Sequence, residues 1–335
     1  MTSPLASRGL SLIEFMVAML LGTILIGGAV SVYLASKRSY TEVERFASMS
    51  ENGRFAMDVV SYSLRHVGFF GQVLGADIRP GDASGWNITN PCDGSAEVFN
   101  LAENFFVATT DTNGDALDCI DDALANTQVL VIKRVQPSPR YDADPDDTSA
   151  STDGVLSFVR SGGAIFDSDR AYVVTNTESG IVVDGADTPP AVGQGDEVPE
   201  GVAWPYVFEA YYIQNPALPT LSRKVLTRTG GQWEVITEQL VEGVERMNFR
   251  FGMDDPADPD WEVDTYTDIA GVGGNWAQVA SVEVFLLLRT PEQDLSYTDN
   301  KTYQVADETY TPADNLHRLL LRSRVTLRNP QLSLR

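Results

Sequence analysis

Residues Leu10 to Ala35 form an apolar run, LSLIEFMVAMLLGTILIGGAVSVYLA, with one ionisable side chain, Glu14. The 21 residues from Phe15 to Ala35 are uncharged. At about 1.5 Å per residue a helix of that length spans about 30 Å, the thickness of a bilayer core. Lys37 and Arg38 close the run. Beyond it Phe46, Met49, Gly53, Met57, Val60, Leu64 and Val67 recur at steps of three and four, with Glu44, Arg45, Glu51, Arg54 and Asp58 between them. That spacing places one apolar face along a helix. The pattern therefore predicts one helix of about 55 residues, apolar all round in its first half and amphipathic in its second. A membrane helix followed by a separate helix is the alternative. Gly27-Gly28 is expected to weaken it locally, by about 1 kcal/mol per glycine in water.

After Gly68-Phe69-Phe70-Gly71 the period changes. Residues 75–126, rich in Gly, Asp, Asn and Ala, read as a long connection. Strand-like runs follow at Thr127–Val135, Val155–Val159, Ala171–Thr175, Gly180–Asp184, Tyr206–Ile213, Arg223–Arg228 and Trp233–Gln239. Further ones lie at Arg246–Phe251, Val279–Arg289 and Leu316–Leu327. β-Branched and aromatic residues dominate these runs, and Gly, Pro and Asp separate them. Residues 136–153 and 185–200 read as surface loops, and Gly271-Val272-Gly273-Gly274 as a turn. One long helix before many strands predicts an α+β fold with a mainly antiparallel sheet.

Charge sharpens this division. The chain of 335 residues has a net charge of −23, yet residues 1–66 hold six basic and five acidic side chains, so the excess acid lies in residues 67–335. Such a head repels phosphates, and no nucleic-acid partner is expected. The two cysteines, Cys92 and Cys119, are expected to pair if the head is exported. Closing a ring of that size contributes roughly 3–4 kcal/mol in the chain-entropy model.

The short polar segment Met1 to Gly9 precedes the apolar run, and no small-residue cleavage site follows that run. The run is therefore expected to stay on the mature protein as an anchor. A carboxylate such as Glu14 at the edge of a membrane helix is a functional candidate by default. Arg8-Gly9-Leu10-Ser11-Leu12-Ile13-Glu14 resembles the type IV prepilin signature. The resemblance implies cleavage by a prepilin peptidase between Gly9 and Leu10, N-methylation of Leu10, and pairing of Glu14 with a neighbouring subunit's N-terminus during assembly. Leu10 departs from the family's usual Phe. Leu240–Glu245 with Phe249–Gly252, Trp276–Val284 with Leu286–Thr290, and Arg322–Asn329 resemble segments of the PilW family of minor pilins, as does Gly53–Met57. The family implies this layout: leader 1–9, transmembrane half of the stalk helix 10–36, amphipathic half 37–67, and head 68–335. It also implies partners: the other minor pilins, the major pilin, the prepilin peptidase, the inner membrane and a tip adhesin. The head would be periplasmic and the protein would end at the pilus tip, although Lys37 and Arg38 then lie on the outer side, against the positive-inside tendency.

Catalytic chemistry is thinly represented. His66 and His317 sit in no hydrolase or zinc motif, and no enzyme activity is expected. The one cofactor candidate is calcium. Asp111, Asn113 and Asp115 place oxygens at alternate positions, with Asp122 eleven residues after the first. Ala116 stands where the sharp turn wants glycine and Cys119 fills a ligand position, so an Asx-rich turn competes. A second acidic loop holds Asp254, Asp255, Asp258 and Asp260. The resulting expectation is a non-enzymatic minor pilin that helps start type IV pilus assembly. The alternatives are a minor pseudopilin of type II secretion and a single-pass periplasmic enzyme or sensor.

Overall fold

The computed structural model describes residues 11–139, 166–255, 257, 260 and 262–329. It comprises two compact units, Met1–Ser50 and Glu51–Arg335. Helix α1, Leu12–Arg65, runs 54 residues without a break and passes straight through Gly27-Gly28. In the first unit it is the only described element, and no residue of its most apolar stretch is buried.

Among the described residues, the second unit holds the end of α1 and fifteen strands. These are β1 (Ile78–Arg79), β2 (Ile88–Thr89), β3 (Phe105–Thr109), β4 (Gln128–Val135), β5 (Ala171–Thr175), β6 (Gly180–Asp184), β7 (Val202–Gln214) and β8 (Thr220–Thr229). The rest are β9 (Gln232–Glu242), β10 (Val244–Met253), β11 (Thr265–Thr267), β12 (Val279–Arg289), β13 (Tyr303–Val305), β14 (Glu308–Tyr310) and β15 (Arg318–Thr326). The first nine form one sheet, in which β7 is shared along one side: β5 pairs with Val202–Pro205 and β4 with Tyr206–Tyr211. A second sheet has the order β11-β10-β12-β15, and β13-β14 is a separate hairpin. All pairings are antiparallel except β1 with β6 and β2 with β9.

The strands read as apolar runs where both faces are covered. In β4, Leu130 and Ile132 join the core that contains Ala56, Val60 and Leu64 of α1, while Val129, Val131 and Val135 join a second core on the opposite face. The first core also takes Met247, Phe249 and Phe251 of β10 and Val282, Val284, Leu286 and Leu288 of β12, so the helix end packs against both sheets. Gly53 permits that approach: a Cβ there would collide with Leu321 and press on Leu288. The stripe predicted along α1 is buried at Gly53, Val60, Leu64 and Val67, whereas Phe46 stands exposed.

The sequence expectation of an irregular connection over 75–126 needs correction. That stretch contains β1, β2, the helical turn Ser95–Val98 and, in full register with β4, the strand β3. The 271–274 segment is likewise more than a turn. Ile269–Val272 is one helical turn, capped by Asp268, whose Oδ1 accepts the N–H of Gly271 (2.9 Å). The strand expected at Val155–Val159 lies outside the described residues.

Candidate assembly site

Helix α1 starts with a reciprocal cap. Ser11 Oγ accepts the N–H of Ile13 (3.2 Å), and Glu14 Oε2 accepts the N–H of Ser11 (2.9 Å). Ser-x-x-Glu at a helix start satisfies two backbone donors that otherwise have no partner, and it sets the carboxylate against the positive end of the helix dipole. Glu14 therefore has a local hydrogen-bond partner before any neighbour is considered. The serine three residues upstream was the readable signal for this cap. Gly9 and Leu10 lie outside the described residues. Downstream of Glu14, Phe15, Met16, Leu20, Ile24, Leu25, Ile26 and Tyr33 are all exposed around the helix. A helix apolar on every side requires lipid or other helices around it.

The cysteines are bonded, with Cα atoms 4.8 Å apart. Both are buried in the core on the sheet face opposite α1, where they hold the 92–119 segment beside Phe99, Val131 and Tyr212.

The calcium candidates, three inside that ring and Asp122 just beyond it, take separate roles. Asp111 Oδ1 accepts the N–H groups of Asn113 (2.8 Å) and Asp115 (2.9 Å), an Asx turn. Those backbone donors, Asp115 first, hold the Asp111 carboxyl below the usual range. Asp122 Oδ2 instead accepts from Gln214 Nε2 on β7 (2.6 Å). Among the described residues no three His, Cys, Asp or Glu side chains gather where they could hold a metal ion. In the second acidic loop, Asp255 Oδ1 and Asp260 Oδ1 accept the N–H groups of Ala257 and Glu262, and Asp255 N–H donates to Asp264. Asp254 is buried, and Asp258 lies outside the described residues.

Two charge clusters that spacing alone does not reveal fasten the head. Glu209 on β7 accepts from Ser63 Oγ of α1 (2.7 Å), Arg134 Nη2 (3.2 Å) and Arg223 Nη1 (2.8 Å). Burial first, then the Glu209 charge, pushes the neighbouring Tyr211 hydroxyl up to about 12. In the second cluster Arg318 donates to both oxygens of Glu245 (2.7 and 3.1 Å) and both of Asp314 (2.7 Å each). It also donates to Asp299 (3.4 Å), which accepts in turn from Tyr297 and Tyr303. The Arg318 and Asp299 side chains are both 0% exposed.

Both histidines make local contacts. His66 Nδ1 lies 2.8 Å from the Tyr62 carbonyl, and its ring packs on Tyr62. His317 stacks on Tyr297, with Nε2 3.3 Å from Asp294.

Against known families, residues 210–329 match the PilW model, described as Type IV Pilus-assembly protein W. Over this span the chain is similar to the PilW family. The PilW match begins inside β7 and takes in β8, β9 and the whole four-stranded sheet. All three C-terminal segments that resembled PilW fall within it, and Gly53–Met57 falls outside. The PilW segment also contains all four charged members of the Arg318 cluster. No curated protein and no solved structure matches the chain.

Proposed function

We propose that this type IV pilus-related chain is a minor pilin, anchored by α1 in the inner membrane with its head in the periplasm. In this reading it is cut between Gly9 and Leu10, methylated on Leu10, and used without catalysis to help initiate the pilus, at whose tip it stays. The observation that carries the reading is the apolar, exposed first half of α1 with a lone carboxylate in its opening turn, on a chain that also bears a PilW segment. A carboxylate among apolar helices is costly alone and tolerable beside a cation. The Ser11 cap satisfies Glu14 in the single chain. A neighbour's charged N-terminus then competes with one backbone N–H, a full positive charge against a neutral dipole. The partners are the other minor pilins, the major pilin and a tip adhesin. The anchor is as compatible with a type II secretion pseudopilin, and the PilW segment favours the pilus.

The test is the intact mass of the protein from membranes of a prepilin-peptidase-positive strain and a matched knockout. Loss of residues 1–9 with gain of one methyl group, only when the peptidase is present, is the expected result. An uncut Met1 in both strains overturns the reading. Glu14→Ala is expected to abolish piliation while leaving membrane insertion intact, checked by pilus shearing beside membrane fractionation.

A further inference from the structure

The two large sheets of the head end differently. The nine-stranded sheet stops at β1 and β2, two residues each, with the five-residue β3 at its branch. Such short edges leave little to pair with. The four-stranded sheet stops at the three-residue β11 on one side and at β15, nine residues long, on the other. Leu327 N–H donates to Ala280 O (2.9 Å), and Thr290 N–H donates to His317 O (3.0 Å). With the register of β12 and β15, these bonds fix the phase of the ladder. Odd-numbered residues exchange hydrogen bonds with β12, and even-numbered ones turn their N–H and C=O outward. Among the described residues no hydrogen bond reaches the outward groups of Leu320, Arg322, Arg324 and Thr326.

The side chains along this edge are unusual for so acidic a protein. Arg322 and Arg324 are 56% and 58% exposed, and both donate to Glu283 Oε1, at 2.6 and 2.8 Å. Glu283 itself is buried, and its Oε2 has no partner among the described residues. The Arg322 guanidinium lies 5.2 Å from the Phe285 ring and that of Arg324 4.8 Å from the Tyr266 ring. One fixed carboxylate oxygen and two aromatic faces thus hold two guanidinium groups in place while their outer surfaces stay in water. Two arginines against one glutamate leave this edge positive in a chain with 47 acidic and 24 basic side chains. Preorganised arginine beside aromatic rings is the composition of binding hot spots.

We propose that β15 is a docking edge that accepts an extended, carboxylate-bearing strand of a partner protein, paired backbone to backbone and read by Arg322 and Arg324. A second copy of β15 is a poor occupant. Antiparallel self-pairing would set the arginines of one chain against those of the other, and like charges across a ladder are destabilising. The edge itself stands on the head geometry; that the partner is a pilus subunit rests on the reading above.

The full-length protein in detergent micelles is titrated with an alternating valine/glutamate heptapeptide, with its lysine counterpart, and with an N-methylated form of the acidic peptide. Residue-resolved amide exchange is the readout. The acidic peptide is expected to slow exchange at Arg322, Arg324 and Thr326 by about fivefold or more, while the other two do not, since exchange reports local opening. Thr326→Pro removes one outward donor and leaves the β12 bonds intact. It is expected to weaken the acidic peptide at least about threefold with an unchanged melting temperature. The proposal is overturned by equal protection from the acidic and lysine peptides, by no protection from the acidic one at millimolar concentration, or by a peptide-free dimer that protects the same amides. Because this measurement needs neither cleavage nor piliation, its failure would leave the minor-pilin reading standing.

Discussion

Helix α1 is one uninterrupted element with two different surroundings. In its first half, leucines such as Leu12, Leu20 and Leu25 are 80, 62 and 74% exposed; in its last turns Ala56, Val60 and Leu64 are each at 0%. The last turns are held by a core that the chain supplies itself. Among the described residues the first half meets no such core, so its apolar surface is left for surroundings outside the chain to cover. Length and periodicity make both halves helical, but only the change from all-round apolar to one-sided apolar tells them apart.

Substitutions can break this comparison, beginning with the largest effect. Arg318→Leu strands the buried Glu245 and Asp299 carboxylates, and removing one partner of a buried charge cluster costs about 3–5 kcal/mol. Urea unfolding of the head is expected to register this loss, while membrane insertion of α1 stays unchanged. The same chemical change made twice is the more direct comparison. Leu64→Ala is expected to destabilise the head by about 2–5 kcal/mol, as for other core leucines. Leu25→Ala, on an exposed side chain, is expected to leave the head's unfolding midpoint where it was.

The smallest effect is in pH. The hydrogen bond from Arg318 holds the Asp314 carboxyl below its usual range, and Ser296, then His317, hold Asp294 down to about 2. Burial pushes Glu283 up, but Arg324 and Arg322 outweigh it and hold it low. A carboxyl whose pKa is lower in the folded state binds fewer protons there, so its stabilisation is present above the unfolded value near 4 and fades as pH falls through the folded value. The head's melting temperature is therefore expected to fall between about pH 4 and pH 2. Arg322→Gln with Arg324→Gln should flatten that slope, because Glu283 no longer titrates low.

The same contrast explains what the sequence made legible. The 54-residue helix and strands such as β12 carry a period of their own, so they are readable from a short window. Strand β3 was not, because FFVAT sits among Asn, Asp and Gly and acquires its meaning only from β4, some twenty residues on. The three-residue strands β13 and β14 are too short to show alternation. At the candidate site, Glu14 stood out as a lone charge in an apolar run; the Ser-x-x-Glu spacing signals its cap, and the hydrogen bonds confirm it. The Arg318 cluster joins Glu245, Asp299 and Asp314 across up to 73 residues, and no local spacing encodes it.

The bond between Cys92 and Cys119 has one further consequence. It closes inside the head, in the segment that follows α1, and such bonds are kept mainly in oxidising compartments. If the head is exported as proposed, it carries its own passport stamp. In that reading, a non-reducing gel that separates the bonded from the unbonded chain would report which side of the membrane the heads have reached.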